Sequence, residues 1–288
     1  LVYKAFYGNS PTSLEILKLL LDRGANINKQ NKNGWTALMV ATEHSNSTSS
    51  LETVKLLLDR GANINISNCH GETALMIASL YANETSSLET VKLLLDRGAD
   101  INIQNNNGET ALIFAVKYSY TSSEKVKLLL DRGANSNISN SKGETALMFA
   151  AMYTNSTSSL ETVQLLLDAG ANINIQNKVG NTALMLAAKC RTSSLETVKL
   201  LLDRGASPFY KNNENKYVIN LCDTSECKTL IGKYMWKILY NRDRDTARRY
   251  SRQTSLPKDV WEIILLNKRQ QQLCKNLANQ ENIEILIF

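Results

Sequence analysis

The chain repeats one pattern of apolar and polar positions along most of its length. A short string, GETALMIA or a close variant, recurs at intervals of 37, 37, 35 and 37 residues and begins at Gly34, Gly71, Gly108, Gly143 and Gly180. A second string, LLLDRGA or a close variant, ends at Ala25, Ala62, Ala99, Ala134, Ala171 and Ala206. Eleven of the 13 glycines lie in these two strings, which indicates backbone positions that favour glycine. The pattern is typical of a protein built by stacking one repeated unit.

Each unit predicts two helices. The string TALMIASLY predicts a short first helix whose alanines permit close packing. The string SSLETVKLLLDRGA predicts a second, amphipathic helix, because apolar residues recur at a spacing of three to four; in the first complete unit they are Leu51, Val54, Leu57 and Leu58. Ser49 and Ser86 are each followed three residues later by Glu, which predicts a capping box at the start of the second helix. Gly61 is typical of a helix end.

This repeat resembles the ankyrin repeat in its Gly-x-Thr-Ala-Leu start, its VKLLLDRGA second helix and the NIN that follows. The resemblance covers roughly residues 1–240. It implies an all-α solenoid of stacked antiparallel helix pairs, with β-turn fingers along one edge. Four extra residues, such as NETS, separate the two helices, so we expect the first helix or its loop to be longer than is usual. Apolar contact between neighbouring units is expected to stabilise the stack.

The resemblance divides the chain into four parts. Residues 1–214 hold one partial and five complete units of about 35–37 residues. The first residues align with the interior of a unit, so we expect further repeats to precede them. Residues 215–240 form a degenerate unit that caps the array, and residues 241–255 form a basic, polar linker. Residues 256–288 form a short helical tail.

In ankyrin proteins the inner helices and the fingers line a concave surface that binds partners. Carried over to this chain, the candidate finger residues are Trp35, His70, Glu72, Glu109 and Glu144. Asparagines follow the second helix at Asn65, Asn102, Asn137 and Asn174. We expect them to hydrogen-bond to their own turns rather than to a partner.

A ring-bearing residue recurs at the end of the first helix in five successive units. These residues are Tyr7, His44, Tyr81, Tyr118 and Tyr153, and Cys190 follows in the sixth unit. Aromatic side chains are enriched in protein interfaces, so the row is a candidate binding edge. The alternative is that each ring packs beneath the lengthened loop.

The tail begins LPKDVWEIILL and resembles the start of an F-box. The matching residues are Leu256, Pro257, Asp259, Val260, Ile264 and Leu265. In F-box proteins this segment binds the Skp-type adaptor of cullin–RING ubiquitin ligases. An ankyrin array followed by such a segment is similar to the PRANC proteins of poxviruses and to ankyrin proteins of giant, mimivirus-like viruses. The alternative is that the tail caps the stack, with Trp261 and Ile263 against the array.

Composition narrows the functional classes. The net charge of +6 lies mainly in residues 206–288, which carry 14 Lys or Arg and nine Asp or Glu. Residues 241–255 are therefore a candidate nucleic-acid patch, but two acidic residues interrupt the basic run and favour a solvated linker. No apolar run approaches the roughly 20 residues that span a bilayer. Five scattered cysteines favour a reducing compartment over a disulfide framework.

The sequence predicts a monomeric protein-binding scaffold. We find no phosphate-binding loop, no nucleophile–base pair and no metal-ligand cluster, so we expect no enzyme and no cofactor. The favoured hypothesis is a viral adaptor that recruits a host protein to a cullin–RING ligase, acting in the cytoplasm of the host cell or in its nucleus. The alternative is a plain binding module or competitor.

Overall fold

A computed structural model describes residues 11–43, 48–80, 85–118, 123–152, 157–189 and 195–242. Within these ranges the chain folds into helices joined by turns. In chain order they are α1 (Pro11–Asp22), α2 (Ala37–Glu43), α3 (Thr48–Asp59), α4 (Ala74–Leu80), α5 (Thr85–Asp96), α6 (Ala111–Tyr118), α7 (Ser123–Asp131), α8 (Ala146–Met152), α9 (Thr157–Asp168), α10 (Ala183–Lys189), α11 (Leu195–Asp203), α12 (Val218–Leu221) and α13 (Ser225–Arg242).

The helices stack as successive pairs. Each even-numbered helix packs against the odd-numbered helix that follows it and against the even-numbered helix of the next unit. The odd-numbered helices pack against one another along the opposite side. The described part of the chain contains no strand beyond two isolated bridges, Ser67 to Thr73 and Ser139 to Thr145. The expected all-α solenoid is confirmed.

The core runs as one continuous column through the stack. The even-numbered helices α4, α6, α8 and α10 are almost wholly buried, because each lies between its own partner and two neighbouring even-numbered helices. In α3 the side chains of Val54 and Leu57 are fully buried, whereas Leu51 and Leu58 are half-buried. The apolar stripe that the spacing predicted therefore faces the column.

Part of the inserted stretch belongs to the second helix in three units, where α3, α5 and α9 have 12 residues, against nine in α7 and α11. The expected longer loop lies outside the described residues. The even-numbered helices α2 and α4 have seven residues, whereas α3 and α5 have 12. Because α3 begins at Thr48 and α5 at Thr85, Ser49 and Ser86 lie inside the helices and not at their N-caps. The predicted capping boxes are therefore wrong: the Thr-Ser-Ser run is itself helical.

Glycine serves two different purposes in each unit. Gly61, just after α3, has φ +82° and open space around it, so only its backbone conformation favours glycine. Gly71 has φ +78°, and a Cβ atom there would lie 2.7 Å from the backbone nitrogen of Asn106 in the next unit. In the last unit Asn215 takes the place of this glycine with φ 60°, since Asn tolerates the left-handed region.

The final pair differs from the others. Helix α12 has four residues and α13 has 18, and α13 packs on both α11 and α12. The hydroxyl of Tyr234 donates to the carboxylate of Asp203 at the end of α11. Burial, and then this hydrogen bond, raise the pKa of Tyr234 to about 12. Helix α13 continues to Arg242, two residues into the segment that we assigned to the linker.

Candidate protein-binding edge

Each finger is organised by one asparagine. In the second finger, the turn at residues 68–72, Asn68 accepts hydrogen bonds at Oδ1 from the backbone N–H groups of His70, at 2.9 Å, and Glu72, at 3.0 Å. The N–H of Asn68 donates to the carbonyl of Glu72 at 2.9 Å. The same arrangement recurs at Asn31, Asn105, Asn140, Asn177 and Asn212. Because these bonds close the turn from within, the two residues at its tip project outward.

Backbone hydrogen bonds join each finger to the next. The N–H of Cys69 donates to the carbonyl of Asn33 at 3.1 Å, and the N–H of Lys178 donates to that of Lys142 at 2.9 Å. Gln104 adds a side-chain bridge, since its Nε2 donates to the carbonyls of Gly108 and, in the following finger, Ser139. The fingers thus form one connected edge whose tip side chains keep a fixed spacing.

The asparagines after the second helix make a second row of hydrogen bonds between units. Asn65 accepts at Oδ1 from the N–H of Asp100, 2.9 Å away in the next unit, and Asn137 accepts from the N–H of Asn172 at 2.6 Å. Asn102 and Asn174 act in the same way. The bonds within each turn are made by the residue two positions earlier, such as Asn63. The predicted own-turn bonds are therefore wrong: these asparagines join neighbouring units.

The carboxylates of the three candidate glutamates are bonded to other side chains of the fold. Glu72 and Glu144 are half-buried and accept from the Nδ2 groups of Asn68, at 2.8 Å, and Asn140, at 3.0 Å. Glu109 is only 4% exposed and lies 2.8 Å from the ammonium of Lys117. Its carboxylate is covered and paired within the fold, and its assignment as a partner contact stays a prediction.

The other finger candidates are placed differently. Trp35 is half-buried and packs against the core column, and its backbone N–H donates to Asn31. His70 is exposed at a tip. The exposed tips also carry three lysines and a 56% exposed valine, at finger positions that were not among the candidate residues: Lys32, Lys142, Lys178 and Val179. Their position next to a repeated glycine is the sequence feature that indicates a finger tip.

Several predicted residues lie outside the described residues. They are Tyr7, His44, Tyr81, Tyr153 and Cys190, together with Leu256, Pro257, Asp259, Val260, Ile264 and Leu265. Tyr118 is the last residue of α6, and its side chain also lies outside the description. Within the described ranges no three His, Cys, Asp or Glu side chains form a group that could hold a metal ion. None of the described helices is both long and apolar enough to cross a membrane.

The chain matches a known family model along most of its length. The model Ankyrin repeats (3 copies) matches residues 3–105, 79–177 and 121–212. A search of curated protein sequences finds no significant match.

Solved structures of ankyrin-repeat domains are similar to the chain. The domain of Bcl-3, described as a unique member of the IkappaB protein family, has 28% identity and a TM-score of 0.66, over 80% of this chain and 96% of that one. The domain of human ASB11 has 26% identity and a TM-score of 0.64, over 81% and 96%. A domain from Acinetobacter baumannii AYE has 31% identity and a TM-score of 0.61, over 71% and 99%.

Proposed function

Because the chain belongs to the ankyrin-repeat family, whose domains are protein–protein interaction modules, we propose that its finger edge binds an acidic segment of a protein partner. The observation that carries this proposal is that lysines and glutamates of the edge differ in exposure and in hydrogen bonding. Lysines stand exposed at the tips, whereas the carboxylates of Glu72, Glu109 and Glu144 are engaged within the fold. One exposed carboxylate, Glu214, lies at the tip of the last finger, and it is paired with Lys216 at 2.8 Å. An approaching protein therefore meets unpaired carboxylates at none of these four glutamates.

The best-defined part of this surface lies on two adjacent fingers. Lys142 and Lys178 are joined through their backbones by a 2.9 Å hydrogen bond, so their separation is set by the ladder. Val179, beside Lys178, adds an exposed apolar side chain. A partner segment that places a carboxylate next to an apolar residue fits this combination, since charge gives steering and apolar contact gives affinity.

Selection from a random peptide display library tests the proposal. We expect the selected peptides to be rich in Asp and Glu and to bind less tightly as salt concentration rises. Lys142→Glu with Lys178→Glu should abolish their binding. Lys55→Glu with Lys92→Glu is the matched control, because it makes the same charge change at exposed lysines of α3 and α5. Peptides without acidic residues, or equal loss in both variants, would contradict the proposal.

We propose in addition that the tail recruits a Skp-type adaptor and, through it, a cullin, so that a viral chain delivers its partner to a host ubiquitin ligase. The support is the sequence match of Leu256, Pro257, Asp259, Val260, Ile264 and Leu265 to the opening of an F-box. The proposed location is the cytoplasm of the host cell, with the nucleus as the alternative.

Mixing the purified chain with a Skp-type adaptor at micromolar concentration tests this second proposal. We expect a complex that Pro257→Ala with Ile264→Asp abolishes, while peptide binding at the finger edge is retained. Absence of any complex with the unaltered chain would favour the alternative, a plain binding module or competitor whose tail only caps the solenoid.

A further inference from the structure

Two of the five cysteines meet in the final helix pair. Cys222 directly follows α12, and Cys227 lies in the first turn of α13. Their Sγ atoms are 3.1 Å apart, within hydrogen-bonding distance of each other. Both are free thiols. This pair lies apart from the finger edge, so its chemistry is independent of the proposed partner binding.

Local hydrogen bonds hold both cysteines in place. The thiol of Cys222 contacts the carbonyl of Val218, one turn earlier in α12, at 3.5 Å. The backbone N–H of Cys227 donates to Oγ1 of Thr224, which precedes α13, at 3.2 Å. A disulfide bond is about 2.05 Å long, so the two sulfur atoms need to approach by only about 1 Å.

The position of Cys222 does not require a thiol for packing. The equivalent position in the five complete units is a buried alanine: Ala41, Ala78, Ala115, Ala150 and Ala187. The stack therefore needs a small residue there, and cysteine meets that need while adding a reactive group. Its sulfur then has one close sulfur neighbour, which the alanine units lack.

The pair has a defined order of reactivity. The hydrogen bond with Cys222 lowers the pKa of the Cys227 thiol, whereas the same hydrogen bond and burial raise the pKa of Cys222. Cys227 is therefore the first of the two to become a thiolate, which is the nucleophilic form. The two residues are 6% and 5% exposed, so an oxidant reaches them only when the turn between α12 and α13 opens.

We propose that Cys222 and Cys227 form a reversible disulfide bond that fastens the end of α12 to the start of α13, with a small-molecule disulfide such as oxidised glutathione as the oxidant. The Cys227 thiolate attacks one glutathione sulfur, forms a mixed disulfide and releases one glutathione thiol. Cys222 then loses its proton and attacks the sulfur of Cys227, which releases the second glutathione. Two protein thiols are oxidised, and one glutathione disulfide is reduced to two thiols.

The consequence is local to the end of the array. The bond closes a loop of only six residues, so it stabilises the chain less through unfolded-chain entropy than a bond that closes a longer loop. It also fixes the corner at which α12 turns into α13. A transient, redox-active pair of this kind also agrees with a reducing compartment, where structural disulfides are rare.

Peptide mapping of the whole chain tests the proposal. The chain is incubated with oxidised glutathione, unfolded, alkylated with iodoacetamide and digested with trypsin. Both cysteines fall in one tryptic peptide, Tyr217–Lys228, which has no internal Lys or Arg. We expect this peptide to lose two hydrogen atoms and to carry no alkyl group. Prior reduction with dithiothreitol should restore the doubly alkylated form.

Two variants separate pair chemistry from general oxidation. Cys69→Ser removes an exposed cysteine and should leave the result unchanged. Cys222→Ala installs the residue of the other units, and it should leave Cys227 carrying glutathione as a lasting mixed disulfide. The proposal is overturned if Cys69 becomes fully glutathionylated while Tyr217–Lys228 stays doubly alkylated. It is equally overturned if Cys227 of the unaltered chain retains glutathione without closure.

Discussion

At the residue scale, Lys125 stands where the other units carry a buried threonine. The equivalents are Thr53, Thr90, Thr162 and Thr197. Lys125 is 1% exposed, and its ammonium donates to the carbonyl of Ala78 at 3.4 Å. Burial lowers its pKa from 10.5 to about 8, since desolvation disfavours the charged form. The unit that contains it is two residues shorter than its neighbours.

Replacing Lys125 by methionine keeps a long side chain but removes the charge, and it should make stability less dependent on pH. Below about pH 8 the lysine is charged in both the folded and the unfolded chain, so the desolvation cost is fully present. Between pH 8 and 10.5 only the unfolded chain binds the proton, and the unaltered protein gains stability with rising pH. Relative to Lys125→Met, this gain should reach roughly 3 kcal/mol.

Urea unfolding of both proteins at several pH values across this window measures the difference. The comparison cancels other titrating groups, because the two chains differ only at residue 125. A free-energy difference between them that stays constant from about pH 7 to about pH 10 would show that the buried amine does not titrate in this range.

The two kinds of glycine give a second prediction at this scale. Gly61→Ala should cost about 1–2 kcal/mol, because a left-handed backbone disfavours a Cβ atom. Gly71→Ala should cost more, because its Cβ would also lie 2.7 Å from the backbone nitrogen of Asn106. Denaturant unfolding of the two variants compares them directly. An equal loss of unfolding free energy in the two variants would mean that the neighbouring finger moves away from the new Cβ atom without losing stability.

Single residues also show where sequence reasoning reaches its limit. Glu72 and Glu109 occupy the same place in the same GET string, yet only Glu109 has a lysine eight residues later that covers and pairs its carboxylate. Asn63 and Asn65 have the same side chain two residues apart, and only the stacked geometry decides which one reaches the next unit. Composition and spacing predict neither difference.

At the scale of helices, ion pairs link the ends of successive odd-numbered helices. The arginine after each helix contacts the aspartate that ends the helix before it: Arg60 with Asp22, Arg97 with Asp59, Arg132 with Asp96 and Arg204 with Asp168. After α9 this position is Ala169, so Asp131 lacks the arginine that its counterparts have.

Ala169→Arg should complete this row. Because the pairs are largely exposed, we expect a gain of only about 0.2–1 kcal/mol at low salt, and its loss near molar NaCl. Ala169→Gln is the control for side-chain length without charge, and Asp131→Asn should remove the gain. Unfolding measured at two salt concentrations checks all three variants. A gain that Ala169→Gln reproduces would mean that packing, not charge, is responsible.

At the scale of the whole molecule, the repetition that made the fold predictable also makes its stability additive. The glycines, alanines and leucines recur at fixed intervals, so the sequence predicts each helix pair and its stacking. The site is less predictable, because hydrogen bonds and ion pairs within the fold decide which finger side chains stay exposed, as the pairing of Glu109 with Lys117 shows. Beyond apolar contact, three kinds of polar contact couple the units: backbone hydrogen bonds between fingers, Arg–Asp ion pairs, and the asparagines at 65, 102, 137 and 174.

The hydrogen bonds that these asparagines make between units should decide whether the array unfolds cooperatively. Repeat arrays behave as chains of units coupled to nearest neighbours, so weakening central couplings should let the two ends unfold separately. Asn102→Ala with Asn137→Ala removes three hydrogen bonds between units. Asn135→Ala with Asn172→Ala removes two bonds within turns of the same region and is the matched control.

Two probes of urea unfolding distinguish the outcomes, in a background in which Trp236 and Trp261 are phenylalanine and Trp35 is the only tryptophan. Fluorescence then reports the first finger, while far-UV circular dichroism reports all helices. The two transitions should coincide in the background protein and in the control, whose midpoint falls. They should separate in Asn102→Ala with Asn137→Ala. Coincident transitions in that variant would mean that the remaining contacts between units keep the array cooperative without these asparagines.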